Sequence, residues 1–307
     1  MEGCRDYRVA DFIFSIEAPL AVLEMMSNYE PFVVNNLSAK ERGKAAFRLT
    51  VRQDSDAFHA ALPECTHIFT DSPDENMPRI EVYRQKDEQE GMEKGDWLVY
   101  FSMCRVAPIC AKLRISEDFK VASLLVEGQN VKFAVDNAAM LLFAFSTVKL
   151  GALEMHASVT VKDNHGFLFL GKSGTGKSTH SRLWMETFPE AWLLNDDNPI
   201  IRLLDNGEVW VYGSPWSGKT PCYKNRQVRV KAIVQLEQAP ANAIRTLRLP
   251  EAYAYMMCSS SGFKIRPDMM DALYNTISRL IQMVPMFGLA CLPDHDAARL
   301  CEMTVNR

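Results

Sequence analysis

The sequence predicts a mixed α/β (α+β) chain in two parts. Residues 1–150 read as a strand-rich N-terminal domain, and residues 151–307 as a domain in which strands alternate with helices. Three observations carry this expectation. Short segments of β-type composition recur through the first half. Within about five residues of Leu150 the texture changes to apolar runs separated by helix-period segments. A glycine-rich turn, Gly171 to Ser178, then stands between an apolar run and a helical pattern.

Taken in order, "FIFSI" opens the strands and "APLAVLEMMSNY" reads as a short helix. The segments "AAFRLTV", "RIEVYR", "DWLVYFSM", "AKLRIS" and "KVASLLVEG" follow as strands. Gln85 to Asp96 is charged and carries two glycines, the mark of a hairpin tip or mobile loop. Ala138 to Leu150 is the most apolar stretch and reads as a buried helix capped by Asp136 or Asn137. It is shorter than the ~20 residues that span a bilayer.

In the second half "LEMHASVTV" and "GFLFLG" are short enough to be strands. A helix is expected from Lys177 to about Phe188. "AWLLN", "NPIIRLL", "EVWVYG" and "RVKAIVQLEQ" read as further strands. "LPEAYAYMMCS" and "DMMDALYNTISRLIQM" read as helices, "VPMFGLACL" as a strand, and "DHDAARLCEMTV" as a last helix with Asp294 near its cap.

The chain has 307 residues, 48% of them hydrophobic and 23% charged, ordinary for a globular protein with a sizeable core. Its net charge of -4 offers no general attraction to nucleic acid or an anionic membrane. Eight scattered cysteines without a C-x-x-C read as buried thiols in a reducing cytoplasm, and the six histidines suggest no zinc site. "MEGCRDYRVADFIF" lacks the apolar core of a signal peptide, so a cytoplasmic location is expected.

Two segments spell G-x-x-x-x-G-K-[ST]: "GKSGTGKS", Gly171 to Ser178, and "GSPWSGKT", Gly213 to Thr220. A phosphate loop needs a buried strand before it and a helix after it, so that free N–H groups and the helix dipole face the anion. The first match has both. Gly171, Gly174 and Gly176 allow close backbone approach, flanked by Lys172, Ser173, Thr175 and Thr179. Lys177 would reach the β- and γ-phosphates, and Ser178 would hold Mg²⁺.

The second match runs into Pro221 instead of a helix, and Pro215 removes one amide from its turn. It is expected to be an active-site loop that does not cradle the nucleotide. Gly213, Ser214, Ser217 and Gly218 would give it mobility, Trp216 an apolar face over the substrate, and Lys219 a positive charge for the transferring phosphoryl group. This supposes that "EVWVY" lies beside the strand ending in Asp196 and Asp197. The alternative is a turn in which Trp216 fills the core.

Asp196 and Asp197 follow the strand "AWLLN", eighteen residues after Ser178, room for one helix and a tight return. One carboxylate there can hold the metal, and its neighbour can take a proton from an incoming hydroxyl. Adjacent strand residues face opposite ways, so the two should not share one role.

From Leu153 to about Leu300 the chain resembles the catalytic domain of HPr kinase/phosphorylase, and the nucleotide-binding core of ATP-dependent phosphoenolpyruvate carboxykinase, which shares that fold. The likeness is carried by "MHASVTVKDNHGFLFLGKSGTGKSTHSRLW" and "WLLNDDNPIIRL". The resemblance implies ATP and Mg²⁺ as cofactors, with Gly171 to Ser178 on the phosphates. It also implies Ser178 and one aspartate, Asp196 in the present assignment, on the metal, the other aspartate as base, and His156 at the position of an active-site histidine. The chain departs from the kinase at Ala157 and Thr179, where the kinase has Gly and Glu, and lacks a "GVRE"-like segment.

The expected function is therefore transfer of the γ-phosphoryl group of ATP to a hydroxyl on a protein, peptide or small molecule. A carboxykinase-like lyase and a non-catalytic nucleotide-sensing module are the alternatives, and the family resemblance favours a homo-oligomer.

Overall fold

The computed structural model describes residues 1–60, 64–72, 75, 77–85, 96–218 and 220–306. The chain is a mixed α/β protein with strand-rich sheets, divided into two compact units: Met1–Arg8 with Phe12–Ser146, and Val9–Asp11 with Thr147–Arg307.

The first unit is built on strands β1 (Glu2–Val9), β2 (Phe12–Pro19), β3 (Phe47–Arg52), β4 (Cys65–Asp71), β5 (Arg79–Gln85), β6 (Trp97–Ser102), β7 (Ile109–Ile115) and β8 (Val121–Val126). Their order in the sheet is β1-β2-β3-β8-β7-β6-β5-β4. Strand β3 pairs in parallel with β2 and β8, whereas β4 to β8 form an antiparallel meander. Helices α1 (Leu20–Met25), α2 (Ala39–Arg42) and α3 (Ser55–His59) are short, and α4 (Val131–Thr147) is the long one. Phe14 stacks on Phe47 at 4.7 Å between ring centroids, and Phe143 of α4 meets Phe14 edge-on at 6.4 Å. Aromatic contacts of this kind add to the burial energy of the core.

Two expectations for this half are corrected. Helix α4 starts at Val131, not Ala138. Asp136 and Asn137 lie inside it, where Asp136 pairs with Lys132 one turn earlier and Asn137 donates to the Phe133 carbonyl. With the 3₁₀ turn that follows, Val131–Leu150 makes 20 residues, long and apolar enough by length and composition to cross a membrane. Its buried face, with Ala134, Val135, Ala138, Ala139, Leu142 and Phe143, belongs to a protein core. Strands β1 and β4 and helices α2 and α3 were not expected. Residues 86–95 of the charged segment lie outside the described residues.

The second unit contains β9 (Ala152–Glu154), β10 (Ala157–Lys162), β11 (His165–Leu170), α5 (Lys177–Thr187), β12 (Trp192–Asp197), β13 (Ile200–Leu203) and β14 (Val209–Tyr212). It continues with β15 (Gln227–Gln238), β16 (Ala243–Thr246), α6 (Leu249–Ser259), α7 (Pro267–Met283), β17 (Met286–Cys291) and α8 (His295–Val305). The strand order is β12-β10-β11-β15-β14-β13-β9, with β17 on β15 and β16 on β17. The long β15 runs parallel to β11 and β17. Phe167 and Phe169 of β11, Trp184 of α5, Val234 of β15, Leu289 of β17 and Cys301 of α8 form one buried cluster. Asp294 caps α8 by accepting from the Ala297 amide, as expected.

"LEMHASVTV" is two strands, not one. The chain breaks at Met155–His156, where Met155 bridges to Ser260 and the His156 amide donates to the Ser259 carbonyl. Strand β9 therefore joins β13, and β10 joins β12. The strand "EVWVY", β14, lies between β15 and β13 and not beside β12, so the side-by-side arrangement expected for it does not occur. Of the eight cysteines only Cys110, Cys222 and Cys301 are buried; all eight are free.

Candidate active site

Strand β11 ends in the interior at Leu170 and releases the chain into the glycine loop. Gly174 and Gly176 hold φ of 80° and 108°, values that side chains rarely adopt. Helix α5 then starts at Lys177 with no side-chain cap on its first amides. Uncapped first-turn N–H groups and the positive end of the helix dipole suit an anion. Lys172, Ser173 and Gly174 are exposed at the loop tip.

Five predicted residues meet at the base of this loop, three in one line and two in a pair. Lys177 is buried, and its Nζ donates to the Gly171 carbonyl at 3.0 Å and to His156 Nε2 at 2.8 Å. The other ring nitrogen of His156, Nδ1, lies 3.0 Å from Asp197 Oδ1. Beside this line, Ser178 Oγ donates to Asp196 Oδ1 at 3.0 Å. The strand alternation expected for the aspartates holds: Asp196 is buried at 4% exposure, whereas Asp197 is half-buried against His156. Burial lowers the Lys177 pKa, and the charges of Asp197 and Asp196 oppose that shift.

The backbone explains how the pair is splayed. Asp196 sits opposite Ser158 in the β10–β12 ladder, and Asp197 opposite Ala157, one residue from His156. Asp197 holds φ of 131°, a sparsely populated value for a residue with a side chain. Such strain persists only where surrounding contacts impose it. Here they come from "GSPWSGKT": Ser217 bridges to Asp197, and the Gly218 amide and Ser217 hydroxyl both donate to the Asp196 carbonyl, at 2.7 and 2.9 Å.

The second loop is thus next to the aspartates although its parent strand is not. Its Trp216 is 3% exposed and fills the core, which overturns the expectation of an apolar face over the substrate. Ser214 is buried, accepts from Asn195 Nδ2 at 3.2 Å and donates to the Asn198 carbonyl at 2.6 Å. A side chain at Gly213 would collide with the Lys224 carbonyl. These are the contacts of a buttress; the glycines and serines serve close packing and hydrogen bonds, in place of the mobility expected of them. Lys219 lies outside the described residues.

Sequence reasoning missed Glu154, two residues before His156. It is 2% exposed, and neither carboxyl oxygen has a hydrogen-bond partner among the described residues. Burial pushes its pKa up to about 8; the nearby Ser261 side chain opposes the shift and the charge of Asp197 adds to it. It also missed Asn195 as the anchor of the second loop. An acid inside "ALEM" and an amide inside "LLND" were the available signals, since a polar group in an apolar strand needs a reason.

No family model and no curated protein matches the sequence. Among solved structures the chain is similar to the Hpr(Ser) kinase/phosphatase from Coxiella burnetii, with 15% sequence identity and a TM-score of 0.29, over 50% of this chain and 93% of that one.

Proposed function

We propose that the protein is an ATP- and Mg²⁺-dependent phosphotransferase, a kinase of the HPr-kinase-like group with the related P-loop fold in its second domain. Its acceptor is a hydroxyl on a protein, peptide or small molecule. The observation that supports this reading best is the convergence of a line of three, Lys177, His156 and Asp197, and a pair, Ser178 with Asp196, beneath one glycine loop.

The donor set fits Mg²⁺. A hydroxyl and a carboxylate already 3.0 Å apart offer hard oxygen ligands, and Mg²⁺ takes few protein ligands, keeping water and phosphate oxygens for the rest. Ser178 and Asp196 would hold the ion, which when bound offsets the charge of the phosphate oxygens. The loop amides from Gly171 to Thr179 and Lys177 orient the phosphates. Asp197 accepts the proton of the acceptor hydroxyl while that oxygen bonds to the γ-phosphorus. The bond from the γ-phosphorus to the β,γ-bridging oxygen breaks, and ADP leaves. His156 holds Asp197 from the side and fixes its orientation. Lys219, which follows Gly218 in the chain, supplies a positive charge to the transferring group.

The test is thermal stabilisation by Mg·ATP, followed by γ-labelled ATP with fractionated cell extract and, in a separate reaction, oxaloacetate. Stabilisation and labelling of an acceptor are expected, with no phosphoenolpyruvate above background. Metal-dependent phosphoenolpyruvate formation would replace the kinase by a lyase. Absence of any nucleotide effect would remove the enzyme reading altogether.

A further inference from the structure

Glu154, Met155 and His156 are fastened to Ser261, Ser260 and Ser259 in antiparallel order. The His156 amide donates to the Ser259 carbonyl at 2.7 Å, Met155 bridges to Ser260, and the Ser261 amide donates to the Glu154 carbonyl at 2.9 Å. Ser260 is buried, and its Oγ lies 3.2 Å from Met155 Sδ. The Met155 amide donates to the carbonyl of Pro199, two residues after Asp197, at 3.0 Å. This clasp ends β9 and fixes the backbone of the residue whose ring joins Lys177 to Asp197.

The first residue of the clasp carries a carboxyl group into the interior. Glu154 is 2% exposed, and neither oxygen has a hydrogen-bond partner among the described residues. The cations of the elements packed around it are bonded elsewhere. Arg202, on the same face of β13, is held by Asp11 and the Ala10 carbonyl. Lys149, ahead of β9, pairs with Asp268, as does Arg266. Lys264, beyond the clasp, donates to the Met257 carbonyl at 2.9 Å.

The charge that acts on Glu154 is that of Asp197, and it has the wrong sign to compensate a carboxylate. An ionised Glu154 is therefore buried, unpaired and beside another carboxylate, so the acid form is the one this fold accommodates. Burial holds the proton on Glu154 up to about pH 8; the Ser261 side chain opposes this and Asp197 adds to it.

We propose that Glu154 is a positioning residue of the transfer step and that the clasp is a pH switch: with Glu154 as the neutral acid the clasp is shut and His156 orients Asp197, and loss of the proton opens the clasp and turns transfer off. This rests on the kinase reading given under Proposed function and adds its control. Ionised, Glu154 gains by moving toward water. That movement strips its carbonyl from Ser261 and, two residues on, the His156 amide from Ser259. Asp197 keeps its charge but loses the ring that orients it, and a small misplacement of a reacting group is costly in rate. The glycine loop and the pair of Ser178 and Asp196 are not part of the clasp, so the loss falls on kcat and not on the KM for Mg·ATP.

The experiment follows two readouts from about pH 7 to about pH 9 on the wild type, Glu154→Gln and Ser261→Ala. The first is ADP release from Mg·ATP, which counts turnovers whether water or an added acceptor takes the phosphoryl group. The second is the ring ¹⁵N signal of His156, assigned by its loss in His156→Asn, which needs no turnover. Wild-type kcat should fall about tenfold over that range, in step with the protonated fraction of a group that titrates at about 8, with KM for Mg·ATP steady within about twofold. Glu154→Gln should hold its kcat level. Ser261→Ala keeps the backbone bonds of the clasp and removes the group that lowers the Glu154 pKa, so its fall should come at higher pH. The His156 signal should move with the same midpoint as kcat. The same alkaline fall in the wild type and Glu154→Gln overturns the switch. A wild-type His156 signal that stays constant over the range overturns it too, whether or not Glu154→Gln folds. A moving His156 signal without ADP release at any pH supports the clasp and removes the kinase reading.

Discussion

Lys177 Nζ stands 2.8 Å from His156 Nε2, and the far side of the same ring meets Asp197 at 3.0 Å. An ammonium can only donate, so Nε2 accepts and Nδ1 carries the proton that it gives to Asp197. One imidazole thereby links the glycine-loop lysine to a carboxylate of the strand β12. Lys177 is also the cation of this group that is buried beneath the loop. Replacing it by Ala is expected to weaken Mg·ATP binding about 10–100-fold, the value of a hydrogen bond to a charged group. Isothermal titration reads this directly, and wild-type affinity in Lys177→Ala means that the loop does not hold phosphate.

The two aspartates should separate by substitution. Asp196 is bonded to Ser178, and Asp197 to His156. Asp196→Asn should raise the Mg²⁺ concentration needed for half-maximal activity, because a neutral amide is a poorer ligand. Asp197→Asn should lower the rate by about 10²–10⁴-fold at saturating Mg²⁺, the usual size of a general-base contribution. Both should fold, since Asn keeps the shape of the side chain. If the two variants show the same metal dependence and the same rate, the split of roles is wrong.

Glu154 should make stability depend on pH. Its folded pKa of about 8 lies above the ordinary 4.5. Between those values the folded protein holds a proton that the unfolded chain gives up. The contribution is therefore complete below the ordinary value and is lost as pH rises through about 8. Glu154→Gln keeps the shape and removes the ionisation. The melting temperature of the wild type should fall relative to that of Glu154→Gln between about pH 6 and pH 8.5. Parallel curves over that range would show that Glu154 is not buried in its acid form.

Much of the second unit was legible because its signals are local. The glycine turn after β11, α5 and the cap at Asp294 depend on residues within a few positions of one another, which the chain states directly. The break at His156 was not legible, because its cause is the distant segment Ser259–Ser260. The same holds for β16, a four-residue strand that is one only through its pairing with β17. Strand β1 was hidden by its charges: Asp6 is buried in it, which "RDY" does not suggest, and it is held by Ser15 and by Arg42. Helix α4 was started too late since Asp136 and Asn137 look like caps; their hydrogen bonds go backward to Asn28, Lys132 and Phe133.

The second spelling of the phosphate-loop pattern carries the last prediction. Among its described residues "GSPWSGKT" makes structural contacts. Trp216 is in the core, Ser214 is hydrogen-bonded to Asn195, and Ser217 and Gly218 hold the backbone of the aspartates. Cys222 and Lys224, just beyond, reach the carbonyls of Leu193 and Leu194 and so cover the outer edge of β12. Covering an edge strand is a structural task that needs no phosphate. Trp216→Ala should therefore destabilise the fold by about 3–5 kcal/mol, the range for a large buried aromatic. Lys219→Ala should leave both the melting temperature and the affinity for Mg·ATP close to wild type and lower kcat, if its charge meets the phosphoryl group during transfer. Denaturant unfolding and steady-state kinetics on the two variants decide the matter. A stable Trp216→Ala protein would sink the buttress, and an unchanged kcat in Lys219→Ala would reduce the loop to that buttress alone.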